Sequence, residues 1–176
     1  TDIDATMDNA GFIQVQSGTL SLNGGGTSNA SNLYEAAGAM LQFGTTAGGA
    51  GSIFTIDGGL YTVAATRVTG ASVDFSGAAA VGFGSSLSVT ADGAVLLGSL
   101  SATAGSFSLS GGGTLSGSGF FTVSGAASLG TGLQTGAGVT VLQGVTSLGS
   151  GAAVDGGRIV ENAGTMLWGG GTLTLG

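Results

Sequence analysis

The feature that most constrains the fold is a recurrence of like residues every twenty positions. Apolar residues recur at this spacing in several columns, and columns of Gly, Ala and Ser run between them. A fixed period of this length is typical of solenoids, in which each repeat buries its apolar face against the next. The apolar columns are Leu20, Met40, Leu60, Ala80, Leu100 and Phe120; Ile13, Leu33, Ile53 and Val73; and Phe43, Val63, Phe83, Thr103 and Val123.

The small-residue columns keep their phase relative to the apolar columns from about Phe12 to about Val123. A single column carries little weight, because an alternating sequence matches itself at any even offset and small residues are abundant. The shared phase over five or six repeats is what indicates a solenoid. The small-residue columns are Gly18, Gly38, Gly58, Ala78, Gly98, Ser118 and Gly138, and Gly24, Gly44, Ala64, Gly84, Ala104, Ser124 and Gly144.

Short runs of alternating apolar and polar residues, separated by Gly, Ser and Asn, extend along the whole chain. Residues 19–22 and 106–109 are examples, and each run predicts a strand of four or five residues with one face inward. Helices are disfavoured because 39 of the 176 residues are Gly, and each interior Gly costs a helix about 1 kcal/mol. Residues 32–41 have the composition for a helical turn, but their fit to the columns favours a strand. The predicted class is all-β.

Two or three short strands per twenty residues describe one coil of a parallel β-helix, or β-solenoid. Stacked coils lie about 4.8 Å apart, and we expect eight to nine coils in one domain spanning residues 1–176. Residues 1–11 are predicted to form a cap or a docking segment. The spacing loosens after Ser124, so residues 124–176 are predicted to form less regular coils, with longer coils or an insertion around 130–138. A β-sandwich is the competing fold, although it has no need for like residues at twenty.

Composition excludes several classes of function. The net charge is −7 and the only cations are Arg67 and Arg158, which argues against binding to a nucleic-acid backbone. Hydrophobic residues make up 42% of the chain, so it is expected to fold. No apolar run reaches about 18 residues, so no transmembrane helix is expected. The absence of His and Cys excludes zinc sites with nitrogen or sulfur ligands and catalytic triads that need either residue.

Three Gly-rich runs, residues 17–24, 111–119 and 168–176, resemble the repeats of large secreted bacterial β-solenoids. The families they resemble are the autotransporter passengers and the two-partner-secretion exoproteins of the filamentous haemagglutinin type. This resemblance implies a right-handed β-helix located outside the cell or on the surface of a bacterium. It also implies a role as an adhesin or scaffold, with cell-surface or glycan ligands, and it transfers no catalytic residues.

Carboxylates are the remaining candidates for chemistry, and they do not share a column. Parallel β-helices also host polysaccharide lyases and hydrolases, so a carbohydrate-binding or carbohydrate-active protein is the alternative function. Asp74 with Arg67, or Glu161 with Arg158, are the pairs that would serve it. We expect no enzymatic activity, because the acids are dispersed. The dispersed acids are Asp57, Asp74, Asp92, Asp155 and Glu161, and the aromatic residues considered for stacking on sugars are Tyr34, Tyr61 and Trp168.

The first nine residues hold three of the nine acidic residues. Asp2, Asp4 and Asp8 offer the oxygen ligands that Ca²⁺ prefers and are the candidate metal ligands. The Gly-rich calcium-binding repeat of β-rolls is absent, so a polar cap is the competing interpretation. No other cofactor is expected.

A β-helix has two open ends with unpaired backbone groups, which natural solenoids cover with polar caps. Residues 172–176 form an alternating run without charge, so we expect this end to pair with another copy or with more chain. The predicted function is therefore non-enzymatic: a rod-like adhesin segment, or the subunit of a self-assembling extracellular filament or surface layer. The candidate assembly residues are Thr172, Leu173, Thr174, Leu175, Phe12 and Ile13.

Overall fold

A computed structural model shows an all-β protein. It describes residues 1–29, 33–35, 38–45 and 51–176, with residues 33–35 described by their backbone alone. Every regular element in these ranges is a strand, and none of these residues is helical, so no helix long and apolar enough to cross a membrane is found among them. The strands are β1 (Asp2–Ile3), β2 (Met7–Asn9), β3 (Ile13–Val15), β4 (Thr19–Leu22), β5 (Gly26–Asn29), β6 (Leu33–Glu35), β7 (Met40–Phe43), β8 (Ser52–Asp57), β9 (Leu60–Thr62), β10 (Ala65–Thr69), β11 (Ala71–Gly77), β12 (Ala80–Gly82), β13 (Ser86–Thr90), β14 (Ala94–Leu96), β15 (Ala102–Ala104), β16 (Phe107–Leu109), β17 (Thr114–Ser116), β18 (Phe120–Val123), β19 (Ala127–Leu129), β20 (Leu133–Thr135), β21 (Val139–Leu142), β22 (Val145–Leu148), β23 (Ala152–Val154), β24 (Ile159–Asn162), β25 (Thr165–Trp168) and β26 (Leu173–Leu175).

Every third strand joins the same parallel sheet. Sheet A runs from β1 to β25, sheet B from β2 to β26, and sheet C from β3 to β24. One coil therefore consists of three strands, one in each wall of the rod. The described strands form eight full coils and two walls of a ninth, which confirms the predicted β-solenoid and its number of coils.

The register between coils shows where the repeat is regular. From β13 onward, residues paired in one sheet are 19 to 21 apart in sequence, as in Leu87 with Phe107 and Ala152 with Leu173. The long step occurs earlier, where Gly26 pairs with Phe54, 28 residues away. The sequence predicted the less regular coils after Ser124, but the irregular step lies before β13, so the predicted position is wrong. The eight positions between the end of β7 and the start of β8 account for most of the added length in sequence, whereas Gly70 alone separates β10 from β11.

The core is a stack of inward side chains that runs along the rod. In sheet A, one inward column contains Phe43, Val68, Val89, Leu109 and Leu129, all of which are buried. Polar side chains lie on the outer face of the same strands. Each coil therefore buries its apolar face against the coils before and after it, and close packing along the column holds the walls together.

Aromatic rings fill the core of the central coils. Phe75 is fully buried, and its ring centre lies 4.7 Å from that of Tyr61 and 5.3 Å from that of Phe83, in edge-to-face arrangements. Such pairs contribute beyond their buried area. The Tyr61 hydroxyl shares a 2.9 Å hydrogen bond with the Thr66 hydroxyl, which satisfies its polar end. We call Phe43, Phe54, Tyr61, Phe75, Phe83, Phe107 and Phe121 the aromatic cluster.

Glycines stack at the corner where the chain passes from sheet C to sheet A. A Cβ placed on any of them would lie 2.0 to 2.7 Å from a backbone atom of the preceding coil. No side chain fits there, because real Cβ atoms do not approach a backbone this closely. We call these residues the corner glycine column: Gly84, Gly105, Gly125, Gly144 and Gly164.

Candidate functional site

The end formed by β24, β25 and β26 is the most distinctive surface of the described structure. Met166 and Trp168 continue the inward columns of Thr146 and Leu148, which are both buried by the coil that follows them. At the last coil these columns are uncovered, and Leu175 of β26 is 74% exposed. This end therefore presents free strand edges together with apolar side chains that point along the core. We call it the β26 end.

A cavity of about 510 Å³ opens at the β26 end and extends inward as far as Leu109 of β16. Small residues such as Gly132 and Ala152 leave this space, and Leu109, Leu129 and Leu148 of sheet A form part of its apolar wall. Its polar lining includes Gln134 and Arg158. The last coils are therefore less densely packed than the aromatic cluster.

Gln134, Thr140 and Arg158 form a buried polar network beside the cavity. Gln134 follows Leu115 in one inward column, and Thr140 follows Phe121 in another. The Thr140 hydroxyl donates to Gln134 Oε1 at 2.7 Å, and Arg158 Nε donates to Thr140 Oγ1 at 3.0 Å. The network thus replaces apolar packing with hydrogen bonds across successive coils.

Arg158 is only 6% exposed and has no carboxylate partner in this network. Its Nη1 donates to the backbone oxygens of Gly117 and Thr135, while its Nη2 is buried without a hydrogen-bond partner. Burial lowers the pKa of the guanidinium from its usual value to about 10, because desolvation disfavours the charged form. Arg158 therefore remains charged at neutral pH at a cost in stability.

We expect Arg158→Met to raise the free energy of unfolding by about 1 to 3 kcal/mol. The substitution removes the buried charge and leaves no acceptor unpaired. Gly117 O still accepts from Gly138 N, and Thr135 O still accepts from Gly117 N. Urea denaturation followed by circular dichroism measures the change. A loss of more than about 1 kcal/mol would show that the hydrogen bonds of Arg158 outweigh its desolvation.

The matched control is Thr140→Val, which keeps the side-chain volume but removes a group that two buried polar side chains require. It is expected to lower stability by about 1 to 3 kcal/mol. The gain from Arg158→Met should be equal at pH 6 and pH 8. The folded state binds fewer protons than the unfolded state only between the folded pKa of about 10 and the higher pKa of the unfolded chain. The destabilising effect of Arg158 therefore diminishes only as pH rises through that interval.

The three N-terminal carboxylates lie on different parts of the first coil. Asp2 is in β1 of sheet A, Asp8 is in β2 of sheet B, and Asp4 lies between them. Asp4 Oδ1 accepts a hydrogen bond from Asn23 Nδ2 at 2.8 Å. Within the described ranges, no three acidic residues are grouped closely enough to hold a metal ion. The Ca²⁺ site stays a prediction, without a common geometry to support it.

The acid and arginine pairs considered for carbohydrate chemistry are not assembled. Arg67 lies in sheet A and Asp74 in sheet B, on different walls of the rod. Arg158 is buried, whereas Glu161 is exposed on the outer face of β24. Tyr61 belongs to the aromatic cluster and is fully buried, so it packs in the core and is not accessible to a sugar. The side chain of Tyr34 lies outside the described residues, and Trp168 is exposed at the β26 end.

The candidate assembly residues occupy both ends of the rod. Residues 173–175 are β26 itself, and Thr172 immediately precedes it. Ile13 begins β3 in the first coil, and the exposed Phe12 precedes it on the outer side. No family model, curated protein or solved structure matches this chain. The site is therefore interpreted from its own geometry.

Proposed function

We propose that this protein is a non-enzymatic structural protein of the bacterial cell surface or extracellular space. It acts as a rod-like adhesin segment or as the subunit of a filament or surface layer, and its principal partners are further copies of the chain. The observation that carries this proposal is the β26 end, where three strand edges and an uncovered apolar core meet. Unpaired strand edges of this kind pair with another copy or with more chain unless a polar cap covers them.

The walls of the rod support the same function. Backbone ladders connect the described coils to one another in all three sheets, which gives a stiff body without disulfides. Only 6% of the residues are charged, so few charged side chains have to be desolvated where rods touch, although the net charge of −7 opposes association at low salt. The outer face of sheet A carries a column of small hydroxyl side chains that permits close lateral approach. That column is Ser88, Ser108, Ser128 and Ser147.

The first test compares the self-association of the wild-type chain with that of Leu175→Lys. Wild-type particles are expected to grow with concentration in size-exclusion chromatography, and electron microscopy should show rods of several subunits. Leu175→Lys is expected to weaken association about 100-fold, because an ammonium group would have to be desolvated inside the apolar junction. The variant should elute as a 16.5 kDa monomer under the same conditions.

Ile53→Lys is the matched control. Ile53 is 64% exposed on the outer wall of β8, so the same chemical change is made at a similarly exposed apolar side chain away from the ends. This variant should associate as the wild-type chain does. A wild-type chain that remains monomeric at every concentration contradicts the proposed function.

A further inference from the structure

The outer face of sheet C carries a column of large, exposed apolar side chains. Leu60 is 48% exposed, Phe120 is 55% exposed and Ile159 is 59% exposed. We infer that this face packs against the same face of a second copy, with the two rods side by side and antiparallel. The inference goes beyond the proposed function, because the contact lies along the rod and does not involve the β26 end.

Two columns of outward side chains form this face, which we call the C face. In each strand the outward residues flank a buried one, as Leu60 and Thr62 flank Tyr61 in β9. Contiguous exposed apolar surface of this kind marks interaction sites. The apolar column is Leu60, Ala80, Ser101, Phe120, Val139 and Ile159. The threonine column beside it is Thr62, Gly82, Thr103, Thr122, Val141 and Glu161.

The distribution of charge makes a second copy the suitable partner for the C face. Its strands β9, β12, β15, β18 and β21 carry no charged side chain, and only Glu161 of β24 adds one. Arg67 lies in sheet A and Asp74 in sheet B. Two copies that meet through their C faces therefore keep most of their negative charge on other walls, where solvent and salt screen it. A partner of opposite charge would find almost nothing to pair with.

The sizes of the side chains along the apolar column make the C face complementary to its own reverse. Ala80 and Ser101 leave a low stretch between Leu60 and Phe120. In an antiparallel pair the apolar columns of both copies lie opposite each other with the order of strands reversed. Phe120 of each copy then fits over the low stretch of the other, and Leu60 packs near Val139. One two-fold axis generates both contacts, so the interface is isologous.

A parallel pair of rods fits less well. Its two-fold axis would run along the rods and place the apolar column of each copy on the threonine column of the other. Ile159 would then face Glu161 twice in each pair, and both carboxylates would be desolvated against apolar side chains. In the antiparallel pair, Glu161 lies at the margin of the contact near Thr62, whose hydroxyl can donate a hydrogen bond to it.

The size of the C face indicates a weak contact that repetition strengthens. Six strands at about 4.8 Å and about five residues per strand at about 3.3 Å give a face of about 29 by 17 Å. Two copies therefore bury about 1,000 Å², which is the lower limit for a specific interface. An isolated pair is expected to dissociate on dilution. Rods that carry several subunits repeat the contact along their length, and linked contacts are far stronger than one.

Cysteine cross-linking at a protein concentration of about 0.5 mM traps such a weak pair, and the natural chain has no Cys. Every chain in this experiment also carries Leu175→Lys, so that association at the β26 end does not contribute. A Thr62→Cys chain is mixed with a Val141→Cys chain and treated with a bis-maleimide that spans the about 10 Å between packed sheets. These two positions face each other in the antiparallel pair, so covalent dimers are expected.

The same variants treated singly report the direction of the rods. In the antiparallel pair, like positions are about four strand spacings apart, or about 19 Å, so neither variant alone should form dimers. In a parallel pair, Thr62 of both copies lies at the same height, and the Thr62→Cys chain alone would cross-link. Ile53→Cys is the control for random collision, because Ile53 is 64% exposed on the outer wall of sheet B.

Phe120→Ala tests the side chain that fills the low stretch. Added to both chains of the mixture, it is expected to lower the yield of dimers about tenfold, because the contact is lost twice in each symmetric pair. An unchanged circular dichroism spectrum and melting temperature show that the loss is not caused by unfolding. An unchanged yield overturns the inference.

The remaining outcomes are equally decisive. Dimers from Thr62→Cys alone, or from Ile53→Cys as readily as from the mixture, overturn the antiparallel contact. No dimers from the mixture, while the wild-type chain assembles, overturns the contact and leaves the proposed function standing. Binding of uncross-linked chains to phosphatidylcholine vesicles, lost on Phe120→Ala, would assign the C face to a lipid surface instead.

Discussion

Phe75→Ala is expected to lower the free energy of unfolding by about 4 kcal/mol. The side chain has no exposed surface, and its ring contacts those of Tyr61 and Phe83 edge to face. Alanine removes these contacts and leaves a cavity between coils whose backbones are held by ladders on both sides. The structure around it can therefore collapse only in part. Urea denaturation followed by circular dichroism measures the loss.

The control for this substitution is Phe120→Ala. Phe120 lies in β18 with its side chain 55% exposed on the outer wall, so the same atoms are removed without opening a core cavity. A change within about 0.5 kcal/mol is expected. Equal losses from the two substitutions would show that burial of Phe75 in the aromatic cluster adds nothing to stability.

Gly144→Ala is expected to destabilise the protein by about 3 kcal/mol. A Cβ at this position would lie 2.2 Å from the backbone oxygen of Gly125 and 2.4 Å from its carbonyl carbon. The obstructing atoms are backbone, so no side-chain rotation relieves the contact. Two coils would have to separate at the corner, which would also strain the adjacent ladder bond from Thr165 N to Gly144 O. Thermal unfolding monitored by calorimetry is the measurement.

Gly169→Ala is the matched control, because no heavy atom lies within 4 Å of a Cβ built there. It should be neutral or slightly stabilising, since alanine reduces the conformational entropy of the unfolded chain. If both glycine substitutions were neutral, the corner glycine column would not be required for close approach between coils.

The architecture was predictable because the repeat and the alternation report the same physical constraint. Leu87, Phe107 and Ala127 are twenty apart in sequence and stack in one inward column of sheet A. The hydroxyl residues one position further along stack on the outside. When apolar and polar residues alternate within a twenty-residue repeat, few folds other than a β-solenoid bury every apolar face. The fold and the number of coils therefore follow from the sequence.

The twenty-residue columns did not predict which sheet a residue joins once they pass the long segment between β7 and β8. Met40 is in sheet A and Leu60 is in sheet C, although they are twenty apart. The excess of eight residues in the steps to β8 and β9 is an even number, so alternation remains in phase while the wall changes. A strict spacing of twenty also misses steps of 19 or 21 residues. The predicted small-residue column therefore contained Ala104 and Ser124, whereas the corner glycine column contains Gly105 and Gly125.

The open end was predictable, whereas the buried network was not. The uncharged alternating run at residues 172–175 corresponds to β26 and its uncovered core. Arginine is normally a surface residue, so nothing in the sequence predicted Arg158 in the core. Its hydrogen bond to Thr140 is evident only in the folded chain. The signal available in sequence was indirect: Gln134 and Thr140 follow Leu115 and Phe121 by nineteen residues, so polar residues replace apolar ones in two inward columns.

The aromatic cluster has a consequence for the order in which the chain acquires structure. In a solenoid each coil is stabilised by its immediate neighbours, so ordering can begin at the most favourable coils and spread along the rod. The cluster is central, from Phe43 to Phe121, and the less densely packed coils with the cavity lie at the end. We therefore expect order to spread outward from the aromatic cluster and to reach the β26 end last. In the proposed filament, a subunit whose last strands have not yet ordered would offer no finished strand edges to the next subunit.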